Sequence, residues 1–199
     1  MRGLRRSLKN SVRLRQYQSS DLPACLEIYR ENFKEESIPD KYEHEFVSTL
    51  EDRSILSLLL EDSGEIVGCG SVCYEENYQQ ANLSFGLIHP SHQRRGYGSK
   101  LLVARISLLS EADGESTVTL CATENSVGFY GRVVGFGEYA RETDEYGNNF
   151  YWLYLPLNKQ LLLQSQEALH ETGIEIQPGL QIPIQREQAV TPKSDRAGG

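Results

Sequence analysis

His89-Pro90-Ser91-His92-Gln93-Arg94-Arg95-Gly96-Tyr97-Gly98-Ser99-Lys100 joins an alternating apolar run on one side to a helical pattern on the other. Two glycines, a serine and adjacent arginines at a strand-to-helix junction suit a pyrophosphate. Without a Cβ the backbone can approach closely, successive N–H groups of the loop and first helical turn point at the anion, and the helix dipole favours negative charge there. Two other phosphate loops fail on spacing. A dinucleotide fingerprint needs a third glycine, whereas Gly96-Tyr97-Gly98 continues as Ser99-Lys100-Leu101 after a strand that belongs to a meander. A Walker A loop needs Gly-Lys-Ser/Thr, and Ser99-Lys100 has the wrong order. A turn that merely caps a helix leaves Gln93 and the two arginines without a reason.

Upstream of the loop, Ile55 to Leu60 and Ile66 to Tyr74 flank Asp62-Ser63-Gly64 as a hairpin. After the polar loop Glu75 to Gln80, the stretch Ala81 to His89 alternates through Ala81, Leu83, Phe85 and Leu87 and completes a meander. Earlier still, Val12 to Tyr17 reads as a half-buried strand. Caps at Ser19-Ser20-Asp21, with Pro23 in the first turn, introduce a helix through Leu22, Cys25, Leu26, Tyr29 and Phe33. After a break around Pro39, Asp40 caps a second helix with Tyr42, Phe46 and Leu50 on its apolar face.

Downstream, the loop opens a helix bearing Leu101, Leu102, Ile106, Leu108 and Leu109, and after the Asp113-Gly114 turn Ser116 to Ala122 forms a strand. Asn125 to Val134 is a short helix closed by Gly135. Glu138 to Glu142 and Asn149 to Leu155 form a last hairpin, which Pro156 ends. Lys159 to His170 suits a modest helix, and Ile174 to Ile184 a small hairpin around Pro178-Gly179. Gln185 to Gly199 is polar and reads as disordered.

A chain of 199 residues supports one sizeable core. The domain spans residues 12–157, between a basic extension, 1–11, and a partly disordered extension, 158–199. The net charge of −8 understates the acidity of the body, because Arg2, Arg5, Arg6, Lys9, Arg13 and Arg15 all precede the first acid, Asp21. That balance argues against nucleic acid as a partner and favours a cationic substrate. No run reaches membrane-spanning length and the basic start lacks a signal-peptide core, so no membrane partner is expected; an Arg-rich, acid-free start also suits an organelle presequence, but Val12 to Tyr17 is needed as a strand, and a cytoplasmic location is expected. Cys25, Cys69, Cys73 and Cys121 read as buried free thiols of a reducing cytosol. Cys69 and Cys73 share a strand face, but no histidine cluster completes a metal site.

From Val12 to Leu157 the chain resembles the GNAT superfamily of acetyl-CoA-dependent N-acyltransferases. Gln93-Arg94-Arg95-Gly96-Tyr97-Gly98 matches the family's (Gln/Arg)-x-x-Gly-x-(Gly/Ala) loop, and Ile88-His89-Pro90 its Val-x-Pro strand end. Asn125 through Phe129-Tyr130 to Gly135-Phe136 matches a second signature at the expected separation. The resemblance implies an α/β (α+β) fold with a mixed, mostly antiparallel sheet of about seven strands flanked by helices.

It also implies direct attack of an amine on the thioester of bound acetyl-CoA. The cofactor-binding residues would be Leu87, Ile88, Gln93, Arg94, Arg95, Gly96, Tyr97, Gly98, Ser99, Asn125 and Phe129. Amides from Arg94 to Ser99 would hold the pyrophosphate, and the pantetheine would run along Leu87-Ile88, with the Ile88 N–H polarising the thioester carbonyl. Tyr130 would be the general acid that protonates the departing thiolate, a phenol with an ordinary pKa of ~10 being protonated at neutral pH. Packing beside Phe129 is the competing role for Tyr130, and helix capping for Asn125.

The general base has no assignment. Ala81 to His89 and Thr117 to Ala122 carry no carboxylate, which leaves Glu75, Glu76, His89 and Tyr78 as candidates by location, or a water chain to bulk. The acceptor is a small-molecule amine or a peptide or protein amine, and no metal is expected. A non-catalytic acyl-CoA sensor or interaction module on the same fold is the alternative, with the C-terminal extension as partner surface. On either reading the extension is a candidate cover for a sheet edge or for a neighbouring subunit, as in a homodimer.

Overall fold

The computed structural model describes residues 12–34, 40–75, 79–110 and 116–183. The basic N-terminal extension, Pro39, Glu76, Tyr78, the Asp113-Gly114 turn and the polar tail from Ile184 lie outside them. The strands are β1 (Val12–Gln16), β2 (Leu56–Asp62), β3 (Glu65–Tyr74), β4 (Gln80–Ile88), β5 (Ser116–Thr123), β6 (Gly137–Thr143), β7 (Asn149–Leu157) and β8 (Glu175–Ile176). They form one sheet in the order β6-β7-β5-β4-β3-β2-β1-β8. The β4/β5 and β1/β8 pairs are parallel and the other pairs antiparallel. The helices are α1 (Leu22–Asn32), α2 (Asp40–Glu51), α3 (Tyr97–Ser107), α4 (Val127–Val134) and α5 (Lys159–Thr172).

Side chains alternate across a strand, so successive leucines of β2 enter two different cores. Leu58 and Leu60 join Val72, Leu83, Val118 and Leu120 beneath α3 and α5, whereas Leu59 joins Cys69, Phe85 and Leu87 beneath α1 and α2. Burial on both faces explains why β2 reads as a continuous apolar run. Ser63 and Gly64 turn β2 into β3 with positive φ angles of 55° and 89°, the conformation of a two-residue hairpin loop. Arg15 ties β1 to its neighbours by ion pairs of 2.7 Å to both Asp21 and Glu61. Among the described residues no helix is long and apolar enough to cross a membrane.

Three expectations need correction. Pro156 does not end the last hairpin: β7 continues to Leu157, with Pro156 opposite Thr117 of β5. Strand β6 already stops at Gly137, opposite Tyr154, so the missing N–H of Pro156 breaks no β6 pairing. The stretch from Ile174 is not a hairpin within the described residues; Glu175–Ile176 pairs in parallel with Arg13 and Leu14 and supplies the eighth strand. Finally, the cap of α4 is Ser126, one residue after Asn125. The core also continues past Leu157, since Leu162, Leu169 and Ile182 are buried in the cluster that holds α3.

Candidate active site

The site begins where β4 and β5 part. Their parallel pairing runs from Gln80 opposite Thr117 to Leu83 opposite Leu120, although β4 continues to Ile88 and β5 to Thr123. The cause is a bulge. Ser84 faces Ser71 and Leu87 faces Cys69, so Phe85 and Gly86 together oppose Gly70, and the extra residue bends β4 away from β5. Phe85 takes a φ of 47°, a strained value for an aromatic residue. Its ring is held edge-on to Phe46, 5.1 Å between centroids.

The bulge fixes what the wedge presents. The N–H of His89 donates to Val67 at 2.9 Å, so Ile88 and Gly68 form a non-hydrogen-bonded pair and both backbone groups of Ile88 point away from β3, into the wedge. The Ile88 carbonyl accepts from Asn32 Nδ2 at 3.0 Å and Gln93 Nε2 at 3.1 Å. Leu87 differs: its backbone belongs to the ladder with Cys69, and its side chain packs under α1 and α2.

The loop that follows is a concave run of amides. Arg94 and Gly96 have φ angles of 62° and 83°, and this reversal aims neighbouring N–H groups to one side. Among the described residues the N–H groups of Arg94, Arg95, Gly96, Tyr97, Gly98 and Ser99 donate to no protein acceptor. Arg94 and Arg95 are exposed and no carboxylate pairs with them or with Lys100 among the described residues. Gln93 anchors the loop, donating also to Asn32 Oδ1 at 3.0 Å, and Tyr97 anchors the helix start through its hydroxyl, which donates to Asp62. A Cβ placed on Gly98 would stand 3.4 Å from Phe129 Cζ and 3.9 Å from Ile88 Cγ1. Loop, β4 end and α4 therefore meet at one mouth.

Tyr130 lies on α4 at the inner end of that mouth, 8% exposed, with ring centroids 5.1 Å from Phe129 and 6.0 Å from Phe136. Burial raises its phenol above the ordinary value, while the charge and hydrogen bonding of Arg105 pull the other way. The hydroxyl is therefore protonated at neutral pH and can donate. Arg105 is a functional candidate that the sequence reading did not pick out. It is 2% exposed on α3, and its Nη1 donates to the carbonyls of Ser71 and Ser84 at 3.3 and 3.2 Å.

Of the sequence candidates for a base, the two among the described residues, Glu75 and His89, are not drawn together. Glu75 accepts from Gln80 Nε2 at 3.2 Å, at the closed end of the β4/β5 pair. His89 caps the turn after β4, its Nδ1 bonded to Ser91. Carboxylates of other elements bear on the open end electrostatically: Glu142 of β6 and Glu45 of α2 both raise the thiol pKa of Cys121, just past the last β4/β5 pair. The rim is clasped where Tyr42 of α2 donates to Asp144 at 3.1 Å and stacks obliquely on Phe150 at 5.7 Å, with Lys41 paired to Glu145 at 3.2 Å.

Cys121 is not equipped to carry an acyl group. Burial, then Glu142 and Glu45, push its thiol up to about 11, leaving very little thiolate at neutral pH. Incubation with acetyl-CoA alone at pH 7 is expected to leave the intact mass of the chain unchanged; an acetylated Cys121 by mass spectrometry would reverse this reading. Of the four thiols expected to be buried, all are free, but only Cys25 and Cys69 are buried; Cys73 is half-buried and Cys121 is exposed. Among the described residues no three His, Cys, Asp or Glu side chains group as a metal site.

Comparison with known proteins agrees with this geometry. Residues 22–136 match the sequence model of the acetyltransferase (GNAT) family. The ribosomal-protein-S18-alanine N-acetyltransferase of Escherichia coli is similar in fold over 74% of this chain and 94% of its own, at 18% identity and a TM-score of 0.58. A putative acetyltransferase from Salmonella typhimurium, solved with its cofactor acetyl-CoA, is similar over 75% of this chain and 96% of its own, at 17% identity and a TM-score of 0.56. A spermidine N-acetyltransferase mutant from Vibrio cholerae is similar over 78% of this chain and 98% of its own, at 16% identity and a TM-score of 0.54. Comparison with curated proteins gives no match.

Proposed function

The chain belongs to the GNAT acetyltransferase family, and from that premise we propose that it moves an acetyl group from acetyl-CoA to a primary amine by direct attack. The observation that carries this reading is the set of unpaired amides from Arg94 to Ser99 beside a wedge into which Ile88 turns its N–H. The fit to acetyl-CoA is chemical. The amides and the free guanidinium groups of Arg94 and Arg95 meet the pyrophosphate, the open β4 edge pairs with the amides of the pantetheine, and the Ile88 N–H is aimed at the thioester oxygen.

The acceptor amine enters on the Cys121 side of β5, where Glu45 and Glu142 hold its ammonium form and water carries its proton to bulk. The neutral amine attacks the carbonyl carbon, the C–S bond breaks, and Tyr130 protonates the sulfur. Solved relatives are named for spermidine and for a ribosomal-protein alanine as acceptors. A small polyamine-like molecule and a peptide amine are both in the acceptor class of the present chain, and its net charge of −8 favours a cation.

The thermal midpoint tests the co-substrate. Acetyl-CoA at ~100 times its dissociation constant is expected to stabilise the fold by about 2.7 kcal/mol, with ATP and NAD giving no shift. A folded sample that does not respond to acetyl-CoA would return the loop to a structural role. An amine screen monitored by released thiol then identifies the acceptor.

A further inference from the structure

Resting on the reading of the Ile88 N–H as the group that polarises the thioester, we infer that Asn32, the last residue of α1, is the positioning residue for that amide. Pairing between β3 and β4 runs out here. Ile88 opposite Gly68 is the last pair, the bond from the His89 N–H to Val67 follows it, and the chain then turns through Pro90, which has no N–H to donate. A strand end beside an open wedge frays unless something outside the ladder holds it. The neighbour that would hold Ile88 on the wedge side is β5, and its pairing with β4 stops at Leu83.

Two side-chain amides take the place of that neighbour. Asn32 Nδ2 donates to the carbonyl of Ile28, one turn back in α1, at 2.8 Å and to the carbonyl of Ile88 at 3.0 Å. Gln93 Nε2 donates to the same Ile88 carbonyl at 3.1 Å and to Asn32 Oδ1 at 3.0 Å. The hydrogens of both amide groups are thereby used, and the Ile88 oxygen receives a bond for each of its lone pairs. The orientation of Asn32 is dictated: turned over, its oxygen would face two carbonyl oxygens and its NH2 group the NH2 of Gln93. An aspartate at this position has no hydrogen for the carbonyls, and a leucine of the same shape has neither donor nor acceptor.

The triangle of Asn32, Gln93 and Ile88 decides what the wedge offers. With its carbonyl taken, Ile88 presents a donor and no open acceptor, which suits an acyl oxygen. The direction of that donor is set on both sides, by the ladder of Leu87 with Cys69 before it and by the tied carbonyl after it. An amide fixed beforehand stabilises the charge that gathers on the thioester oxygen during attack, without reorganisation in the step. A tether that only fastened α1 to the sheet would leave the thioester carbonyl unchanged when cut.

The distinguishing experiment loads the full chain with acetyl-CoA labelled with carbon-13 at the acetyl carbonyl, with no acceptor amine, and reads the carbonyl stretch by isotope-edited infrared difference spectroscopy. In the parent the stretch is expected to fall on binding, because a donor to the thioester oxygen weakens the C=O bond. In Asn32→Leu it is expected to return at least half way to the solution value while isothermal titration still detects bound acetyl-CoA. Turnover of the amine found by the screen should drop by about 10–100-fold in kcat, the scale of a small misplacement, with the KM for acetyl-CoA nearly unchanged. Gln93→Met cuts the other bond to the Ile88 carbonyl and is expected to move the stretch in the same direction, which covers an Asn32→Leu protein that does not fold. A stretch lowered equally in the parent and the folded variants would overturn the role of Asn32 and leave the Ile88 reading standing. A stretch that does not move in the parent would remove the Ile88 N–H from the mechanism, and this inference with it. Folded variants that no longer bind acetyl-CoA would make the triangle a part of the binding wall and overturn the inference as well.

Discussion

Tyr130→Phe is expected to lower kcat by about 10²–10⁴, the usual share of a positioned proton donor, with the affinity for acetyl-CoA nearly unchanged. The substitution keeps the ring, so the edge contacts with Phe129 and Phe136 persist. What disappears is the proton that makes CoA a good leaving group. Equal losses in kcat and kcat/KM mark an interaction made in the transition state. The pH profile gives a second reading. Tyr130 acts as an acid while protonated, and its pKa lies above the ordinary value of 10.0. Its contribution is therefore complete at neutral pH and fades as pH rises through the shifted value. The parent should lose turnover on that alkaline limb, and Tyr130→Phe should lack the limb. An unchanged kcat would remove the hydroxyl from the mechanism. Loss of fold is a separate matter, read from the thermal midpoint.

The features read best from the sequence are those encoded locally. The order of strands and helices follows from alternation and from caps such as Pro23 in the first turn of α1 and Gly135 after α4, with its φ of 84°. The loop from Gln93 to Ser99 is legible because glycine positions and polar residues record a backbone shape. The proposed acceptor side is not. Glu45 and Glu142 lie on α2 and β6, neither stands out within its own element, and only in the folded chain do both bear electrostatically on Cys121. Pro156 reads as a terminator because it lacks an N–H, yet β7 runs through it because β6 stops short of it, a fact of pairing rather than of propensity.

Arg105 falls between these cases. A single arginine among Leu101, Leu102, Val103, Ala104 and Ile106, all buried, interrupts an apolar helix, and Gly70 and Gly86 interrupt the strands that pack on it. Each is unremarkable alone. Together they describe a slot for a guanidinium, because a glycine inside a strand commonly marks the close approach of another group.

Gly98→Val is expected to weaken acetyl-CoA binding by about 10–100-fold, with a much smaller effect on the ligand-free fold. The backbone at Gly98 is ordinary helix, outside the positive-φ group to which Gly96 belongs, so a side chain costs space rather than strain. Its first carbon would be in normal van der Waals contact, 3.4 Å from Phe129 Cζ and 3.7 Å from Cε2. Alanine therefore fits. The two further methyls of valine have no room toward Phe129 and Ile88, and either push α4 outward or project across the mouth. Overpacking of that size costs about 1–3 kcal/mol, here charged to the path between the loop amides and the wedge. Gly96→Ala offers the opposite control: nothing lies within 4 Å of its added carbon, yet its φ is 83°. That substitution strains the turn and tilts the amides away from the anion, so it should weaken binding without any steric block. Isothermal titration with acetyl-CoA, alongside the ligand-free thermal midpoint, separates these causes. Full affinity in Gly98→Val would mean that the pyrophosphate and pantetheine do not pass between α3, α4 and the end of β4.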